Sequence, residues 1–165
     1  MVHTAYIGIG SNLGAPDKNC EEAIERISMN GGIKIVSKSL LYKTAPVGHI
    51  KQDWFVNSVI KVDTQLSPKK LLLSLLSIEL KMGRVRKEKW GPRMIDLDLL
   101  FYDNLILNQQ GITLPHPEIQ KRKFVLVPLN EIEENLIHPI QKKTVKALLH
   151  ELSDESEVKK LPKFI

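Results

Sequence analysis

The feature that most constrains the fold of this chain is a short apolar run, MIDLDLLF, that contains two aspartates. Its residue types are those that fill a half-buried pleated surface, so it predicts a β-strand. Side chains two positions apart on a strand share a face, so Asp96 and Asp98 point the same way. Their carboxylates would lie about 6–7 Å apart, because a strand rises ~3.3 Å per residue. Their repulsion would be roughly 1 kcal/mol in water and ~3 kcal/mol at an effective dielectric of 20, which predicts a cation between them.

A basic loop around one tryptophan, Trp90, precedes this strand. Its cations are Arg84, Arg86, Lys87, Lys89 and Arg93. Aspartates that bind a hard metal, beside cations that bind phosphate oxygens, are the parts of a metal–nucleotide phosphoryl-transfer site. Magnesium fits best, because proteins hold it through one or two carboxylates plus substrate phosphates. The solvated face of an edge strand is the alternative reading of the two aspartates.

The length and composition indicate one soluble domain, residues 1–165. The chain has 165 residues, of which 42% are hydrophobic, enough for a real core. A net charge of +5 favours an anionic partner, either a nucleotide or a nucleic acid. Cys20 is the only cysteine and follows a helical apolar pattern, so we expect a buried thiol and no disulfide. With no secretory signal and no apolar run long enough for a membrane span, a cytoplasmic protein is expected.

Periodicity and capping residues predict the remaining elements. One helix is expected from Pro16 to Met29, and a second is opened by Ser67 and ended by Gly83. The expected strands are 6–9, 33–37, 40–43, 54–62, 94–101 and a short return strand, 105–107. Residues 124–129 are assigned to the core, Thr144 to the cap of the last helix and 153–160 to a solvated charge run. The strands and helices do not alternate as in a parallel sheet, so we expect an α+β sandwich with a mainly antiparallel sheet and helices on its faces.

Two further stretches suggest binding residues. In the strand 54–62, Phe55 and Asn57 project from one face, and an aromatic ring beside an amide suits a flat, hydrogen-bonding heterocycle. The alternative is a second core face with the amide bonded to the backbone. The segment GIGSNLG lacks the third glycine of a dinucleotide fingerprint and the lysine of a phosphate loop, which favours a structural turn. Ser11 and Asn12 lining a pocket remain the other possibility.

A histidine on a proline-bracketed loop is the last candidate. Pro115 and Pro117 hold His116 in an extended conformation, and Arg122 follows within reach of the same anion. Such a histidine is commonly structural or simply exposed. From the residues alone, this interpretation and an anion-binding role both stay open.

Taken in order, these segments resemble the 6-hydroxymethyl-7,8-dihydropterin pyrophosphokinase family. The resemblance rests on GPRMIDLDLLFY, with YIGIGSNLG, YKTAPVG, FVN, IELKMGRVR, LPHP and RKFVLVPL, and covers nearly the whole chain. It implies a ferredoxin-like α/β sandwich. It also implies a transferase of folate biosynthesis that moves pyrophosphate from ATP to the pterin alcohol, giving AMP and the dihydropterin diphosphate.

The resemblance also implies a role for each matching residue. Two magnesium ions bridging the ATP phosphates would bind to Asp96 and Asp98. Phosphate contact, or closure over the site, would fall to Arg84, Arg86, Arg93 and Trp90. The pterin pocket would be formed by Thr44, Ala45, Pro46, Val47, Phe55, Asn57 and Phe124, with the two phenylalanines as a stacking pair. Residues along the ATP would be Glu79, Leu99, Thr113, His116 and Arg122.

The sequence departs from the family pattern at three positions. Leu76 and Gly111 stand where some members have glutamine and arginine that touch ATP, and Met94 replaces a more usual threonine. We expect these differences to change the affinity for ATP and not the chemistry.

The expected reaction is in-line attack by the pterin hydroxyl on the β-phosphorus of ATP. Catalysis would come mainly from positioning and metal electrostatics, with the segments 44–53 and 84–93 as lids. The expected partners are ATP and the pterin, with no nucleic acid, no membrane and a monomeric chain. Two rival functions are an RNA-binding module and a two-metal phosphohydrolase. Exposed aspartates would repel an RNA backbone, and the strand offers few ligands for a two-metal hydrolase.

Overall fold

The computed structural model describes residues 1–44, 54–83, 94–153 and 156–161. The strands are β1 (His3–Ser11), β2 (Ile33–Lys38), β3 (Tyr42–Thr44), β4 (Phe55–Thr64), β5 (Asp96–Tyr102), β6 (Leu107–Gln109), β7 (Ile112–Leu114) and β8 (Val158–Lys160). The α-helices are α1 (Pro16–Ser28), α2 (Pro68–Lys81), α3 (Lys123–Glu133) and α4 (Val145–Glu151), and a 3-10 turn spans Ile119–Lys121. No helix in these described ranges has the length and apolar character needed to cross a bilayer.

Six strands form one antiparallel sheet. Their order is β5-β1-β4-β3-β8, and β2 pairs with β4 beside β3. Strand β1 therefore lies between β4 and β5, although helices and other strands separate the three along the chain. Two β-α-β units, β1-α1-β2 and β4-α2-β5, interleave in this way, which is the ferredoxin-like arrangement. The expected fold class is confirmed.

Helices cover both faces of the sheet. Helices α1 and α2 pack on one face around Ile7, Ile60 and Leu75, which are fully buried. Helices α3 and α4 pack on the other face, around Phe101 and Leu126. We call these the α1/α2 face and the α3/α4 face. The molecule is thus a three-layer sandwich with a separate hydrophobic core on each side of the sheet.

A bulge in β5 changes which face its side chains reach. Ile7 pairs with Leu99 and Tyr6 with Phe101, so Leu100 is the extra residue on the bulged strand. Leu99 packs in the α1/α2 core, whereas Leu100 and Phe101 both pack in the α3/α4 core. The alternation predicted for the aspartate strand therefore holds only as far as Leu99.

The predicted helix caps are confirmed. The Ser67 hydroxyl accepts a hydrogen bond from the Lys70 N–H at 3.3 Å, and the Thr144 hydroxyl accepts one from the Ala147 N–H at 3.1 Å. Cys20 is fully buried, as expected, and burial raises the pKa of its thiol to about 12. At neutral pH it is a packed thiol and not a nucleophile.

Two sequence predictions about the edges of the sheet were wrong. Residues 105–107 do not return along β5; instead β6 pairs with β7 in a separate hairpin. The outer edge of β5 is already used, because the Leu100 carbonyl accepts the His116 N–H at 2.9 Å. The charged segment 153–160 is not wholly solvated, since β8 pairs with β3 through Val158 and two lysines. Lysines are common on such exposed edge strands.

Candidate functional site

One glycine joins the two groups of predicted site residues. Gly10 on β1 pairs with Asn57 of β4 on one side and with Asp96 of β5 on the other. Direct cross-strand neighbours share a face of the sheet, so the amide and the carboxylate flank the same glycine. The backbones of β4 and β5 are then about 10 Å apart, because neighbouring strands are spaced ~4.8 Å. Gly10, which has no side chain, thus lies between Asn57 on the side expected to bind the heterocycle, called the heterocycle side, and Asp96 on the side expected to bind the metal, called the metal side.

On the metal side, Asp98 is paired with an arginine. The Arg122 Nη1 lies 3.7 Å from the Asp98 Oδ2, and these side chains are 25% and 29% exposed. Arg122 is the N-cap residue of α3, which brings it over the α3/α4 face. Its Cζ also lies 5.6 Å from the centroid of the Phe124 ring, a cation–π contact. Arg122 therefore connects the aspartate pair to the aromatic ring at the start of α3.

His116 lies beside the same aspartates. Its backbone N–H bonds to the Leu100 carbonyl, which holds it along the outer edge of β5. Its Nδ1 accepts the Glu118 N–H at 3.2 Å. Burial, and secondly the Arg122 charge, lower the pKa of His116, although Glu118 and Asp96 act in the opposite direction. The imidazole is neutral at pH 7 with its proton on Nε2, where it can donate to a ligand oxygen or nitrogen.

On the heterocycle side, an amide and a hydroxyl are bonded to each other. The Asn57 Nδ2 donates to the Thr44 Oγ1 at 2.8 Å, and Asn57 is only 7% exposed. Thr44 pairs with Phe55 in the β3–β4 register, so the three side chains occupy the α3/α4 face. Among the residues that the structure describes, the amide therefore bonds to a side chain, whereas the alternative interpretation expected a backbone partner.

Glu79 has a structural contact that the sequence did not indicate. Glu79 is 2% exposed, and its Oε2 accepts the Leu97 N–H at 2.7 Å. This bond holds the outer edge of β5 against α2. Leu99 is buried in the α1/α2 core, whereas Thr113 is exposed on β7. Contact of these three residues with ATP stays a prediction.

Residues 8–11 of the glycine-rich segment form the end of β1, and only residues 12–14 belong to the turn that leads to α1. The Ser11 hydroxyl donates to the Met94 carbonyl at 2.5 Å, and the Asn19 amide donates to the Leu13 carbonyl at 2.8 Å. The first bond connects the end of β1 to the residues just before β5, and the second connects the turn to α1. The serine is therefore used within the protein. Sequence reasoning also missed Gly10 as a site residue, because it treated the segment as a turn and not as part of a strand.

Several predicted site residues lie outside the described residues. They are Ala45, Pro46, Val47, Arg84, Arg86, Trp90 and Arg93. Two of the described residues that border these ranges, Thr44 and Met94, contact residues on β4 and β1 respectively.

The carboxylates present fit magnesium better than a metal held by protein ligands alone. In the part of the chain that the structure describes, no group of three or more His, Cys, Asp or Glu side chains could hold a metal ion. Asp96 and Asp98 place two carboxylates, whose oxygens are hard donors, on one face of β5. Magnesium accepts such a pair and completes its shell with water and phosphate oxygens, whereas zinc or calcium sites need more protein ligands.

Comparisons with known proteins agree on one family. The model of the 7,8-dihydro-6-hydroxymethylpterin-pyrophosphokinase (HPPK) family matches residues 6–134. The chain is 40% identical over 159 residues to the Haemophilus influenzae 2-amino-4-hydroxy-6-hydroxymethyldihydropteridine pyrophosphokinase, covering 96% of this chain and 99% of the relative. It is 44% identical over 133 residues to the Methylorubrum extorquens enzyme of the same name, covering 81% and 84%.

A solved structure shows the same fold. The wild-type Plasmodium falciparum HPPK-DHPS with pteroate superimposes with a TM-score of 0.73 at 14% identity. The match covers 91% of this chain and 42% of that longer one.

Proposed function

This chain belongs to the 7,8-dihydro-6-hydroxymethylpterin-pyrophosphokinase family, and we propose that its two substrates meet on the α3/α4 face beside Gly10. It is an ATP-dependent pyrophosphokinase of folate biosynthesis that transfers pyrophosphate from ATP to 6-hydroxymethyl-7,8-dihydropterin. The observation that carries the proposed site is the row Asn57–Gly10–Asp96 across three strands. The gap of about 10 Å between its ends suits a pterin on one side and phosphates on the other.

The pterin would lie against β3, β4 and the start of α3. The Asn57 amide and the Thr44 hydroxyl, bonded to each other at 2.8 Å, can extend their hydrogen bonds to a flat heterocycle. Phe55 and Phe124 are both half-buried, which suits rings that stack on a ligand. The full proposed pocket comprises Thr44, Ala45, Pro46, Val47, Phe55, Asn57 and Phe124.

The ATP would lie against β5 and the loop that follows β7. Arg122 has the charge and planar geometry to bind phosphate once it leaves Asp98, and the neutral His116 can donate from Nε2. The proposed ATP contacts are Glu79, Arg84, Arg86, Trp90, Arg93, Leu99, Thr113, His116 and Arg122.

Asp96 and Asp98 would hold two Mg²⁺ ions. When bound, such ions neutralise phosphate charge and polarise the phosphorus that is attacked. The support for this proposal is the donor set itself, two carboxylates on one strand face beside a cation that already pairs with one of them.

The protein residues would act mainly by positioning. The pterin hydroxyl oxygen forms a bond to the β-phosphorus and loses its proton, while the bond from the β-phosphorus to the oxygen bridging it to the α-phosphorus breaks. AMP leaves with that oxygen. Arg84 and Arg93 are proposed to stabilise the charge on the transferred group, and fixed donors of this kind act without reorganisation. Holding both substrates on one rigid sheet contributes the orientation that the reaction needs.

The experiment is to identify the nucleotide formed from Mg-ATP with and without the pterin alcohol. We expect AMP only when the pterin is present. ADP would indicate an ordinary kinase, and retained nucleotide binding without turnover would favour the RNA-binding alternative.

We further propose that the enzyme acts as a monomer in the cytoplasm, without nucleic-acid or membrane partners. The reduced, fully buried Cys20 suits a reducing compartment. Light scattering coupled to gel filtration tests the oligomeric state, and a dimer mass would contradict the proposal.

A further inference from the structure

We infer that Gly10 is a positioning residue for the pterin, because its missing side chain is what lets the Asn57 amide lie over β1. The inference rests on the proposed function of Asn57. A Cβ built on Gly10 would meet the Asn57 Oδ1 at 2.8 Å, a distance that real Cβ contacts essentially never show. The next atoms, the Asn57 Cγ at 3.8 Å and the Val56 carbonyl oxygen at 3.9 Å, are at ordinary distances.

The clash is therefore confined to one movable side-chain atom. Gly10 lies near the end of β1, paired with β4 on one side and β5 on the other, and does not have a positive φ, so alanine suits its backbone. The β1–β4 and β1–β5 pairings would stay intact, and the relief would come from rotation of the amide. Substitution should leave the fold in place and displace Asn57.

The orientation of the amide is set from both ends. At one end Nδ2 donates to the Thr44 hydroxyl, and at the other Oδ1 lies above the bare backbone of Gly10, on the side that leads to Asp96. The amide carbonyl is thus turned toward the space between the two proposed substrates, where it can accept a hydrogen bond from a ring N–H or an amino group. A methyl group on Gly10 would push it away.

Gly8 provides a matched control on the same strand. It is two residues from Gly10 and therefore on the same face. The three atoms nearest to a Cβ on Gly8 would all belong to the Leu100 side chain, at 3.5 to 3.7 Å, which is ordinary van der Waals contact. Gly8→Ala changes the same residue type on the same strand without touching Asn57.

The test compares Gly10→Ala with Gly8→Ala by steady-state kinetics and thermal unfolding. For Gly10→Ala we expect the KM for the pterin to rise about ten-fold or more, because one buried hydrogen bond to the substrate would be lost. The KM for ATP and the melting temperature should stay near those of the parent enzyme. For Gly8→Ala all three quantities should be unchanged. A Gly10→Ala enzyme with a normal KM for the pterin would overturn the inference.

A double-mutant cycle separates positioning from a general defect. If Gly10 acts only through the amide, adding Gly10→Ala to Asn57→Ala should cost nothing further, whereas an independent role would make the two effects add. The NMR signals of the Asn57 side-chain amide should shift in Gly10→Ala and not in Gly8→Ala, whatever reaction the protein catalyses. Unshifted signals would refute the inference. Absence of AMP formation in the parent enzyme would instead refute the proposed function.

Discussion

The Arg122 guanidinium lies 3.7 Å from the Asp98 carboxylate, on the sheet face where two proposed magnesium ligands sit. The cation that the spacing of Asp96 and Asp98 demands is thus supplied, in the protein alone, by a side chain from the start of α3. Because the arginine also rests on the Phe124 ring, one residue joins the proposed metal, ATP and pterin regions. Binding of Mg-ATP would have to exchange this pair for contacts to metal and phosphate.

Replacing either aspartate should abolish turnover and spare the fold. Asp96→Asn and Asp98→Asn each remove a carboxylate that the proposed metal site needs, so we expect kcat to fall on the order of a thousand-fold or more. The pair with Arg122 is partly exposed, so its loss should change the free energy of unfolding by less than about 1 kcal/mol. AMP release and urea denaturation measure the two effects. Full activity in either variant would contradict the metal assignment.

Shortening Arg122 should weaken the binding of ATP more than the binding of the pterin. Because Arg122→Ala removes a charged donor, we expect the KM for ATP to rise about ten- to a hundred-fold. Arg122→Lys keeps the charge but loses the planar fork and much of the stacking on Phe124, so it should restore only part of the affinity. Kinetics at varied ATP and fixed pterin measure this. A KM for ATP in Arg122→Lys equal to that of the parent enzyme would mean that charge alone matters, whereas equal KM values in the two variants would mean that the charge contributes nothing without the planar fork.

Removing the Phe55 ring should weaken the binding of the pterin more than the binding of ATP. Phe55→Ala deletes a proposed stacking surface worth about 1–3 kcal/mol, whereas Phe55→Leu retains apolar bulk without the ring. Equilibrium titration with each substrate separates the effects. A matching loss of ATP affinity would indicate a general collapse of the site.

Substitution of Glu79, a residue predicted to contact ATP, tests whether its role is structural. Glu79→Ala leaves the Leu97 N–H without its side-chain acceptor, which should cost about 1–3 kcal/mol of folding stability. Glu79→Gln keeps a carbonyl oxygen that can accept the same hydrogen bond. If Glu79→Gln retains stability but loses ATP affinity, the carboxylate has a second, binding role; if it retains both, the residue acts through the strand edge.

Buried His138 should make the protein less stable in mild acid. It is 2% exposed, its Nδ1 accepts the Ile140 and Gln141 N–H groups at 3.2 and 3.1 Å, and burial lowers its pKa below the ordinary 6.5. Between the folded and unfolded pKa values the unfolded chain binds more protons. Stability is therefore present above pH 6.5 and falls as the pH drops toward the folded pKa.

An asparagine provides the matched control for this histidine. The Oδ1 of His138→Asn can accept the same two backbone N–H groups but does not titrate. Urea denaturation between about pH 5 and pH 8 should show a shallower pH dependence in the variant. His116, whose pKa is also lowered, is present in both proteins, so the difference reports His138 alone. Identical pH profiles would contradict the assignment.

The helices that begin at Pro16, after Ser67 and after Thr144 were predictable because the causes of helix starts are local, whereas residues 124–129 were assigned only to the core and form part of α3. Ser67 and Thr144 begin helices through hydrogen bonds to residues three positions further on, and such bonds need no tertiary contact. The strand at Asp96 and Asp98 was predictable for the same reason. The bulge at Leu100 was not, because it depends on the register with β1.

The edges of the sheet were mispredicted because an edge is a property of the assembled molecule. Nothing in residues 105–107 shows that the His116 backbone occupies the outer side of β5. Nothing in VKK shows that β3 has a free side for β8 to join. Likewise nothing in the residues around Glu79 shows that its carboxylate accepts the Leu97 N–H.

The sequence by itself determined the fold class and the family, and it supplied the proposed reacting and binding residues, because hydrophobic period, capping and motif order are written along the chain. Only the tertiary structure decided which of those residues meet. Asn57 and Asp96 are 39 positions apart and become near neighbours solely because β1 pairs with both their strands. The proposed role of Gly10 also depends on the fold, because the β1–β4 pairing places the Asn57 side chain where a side chain on Gly10 would lie.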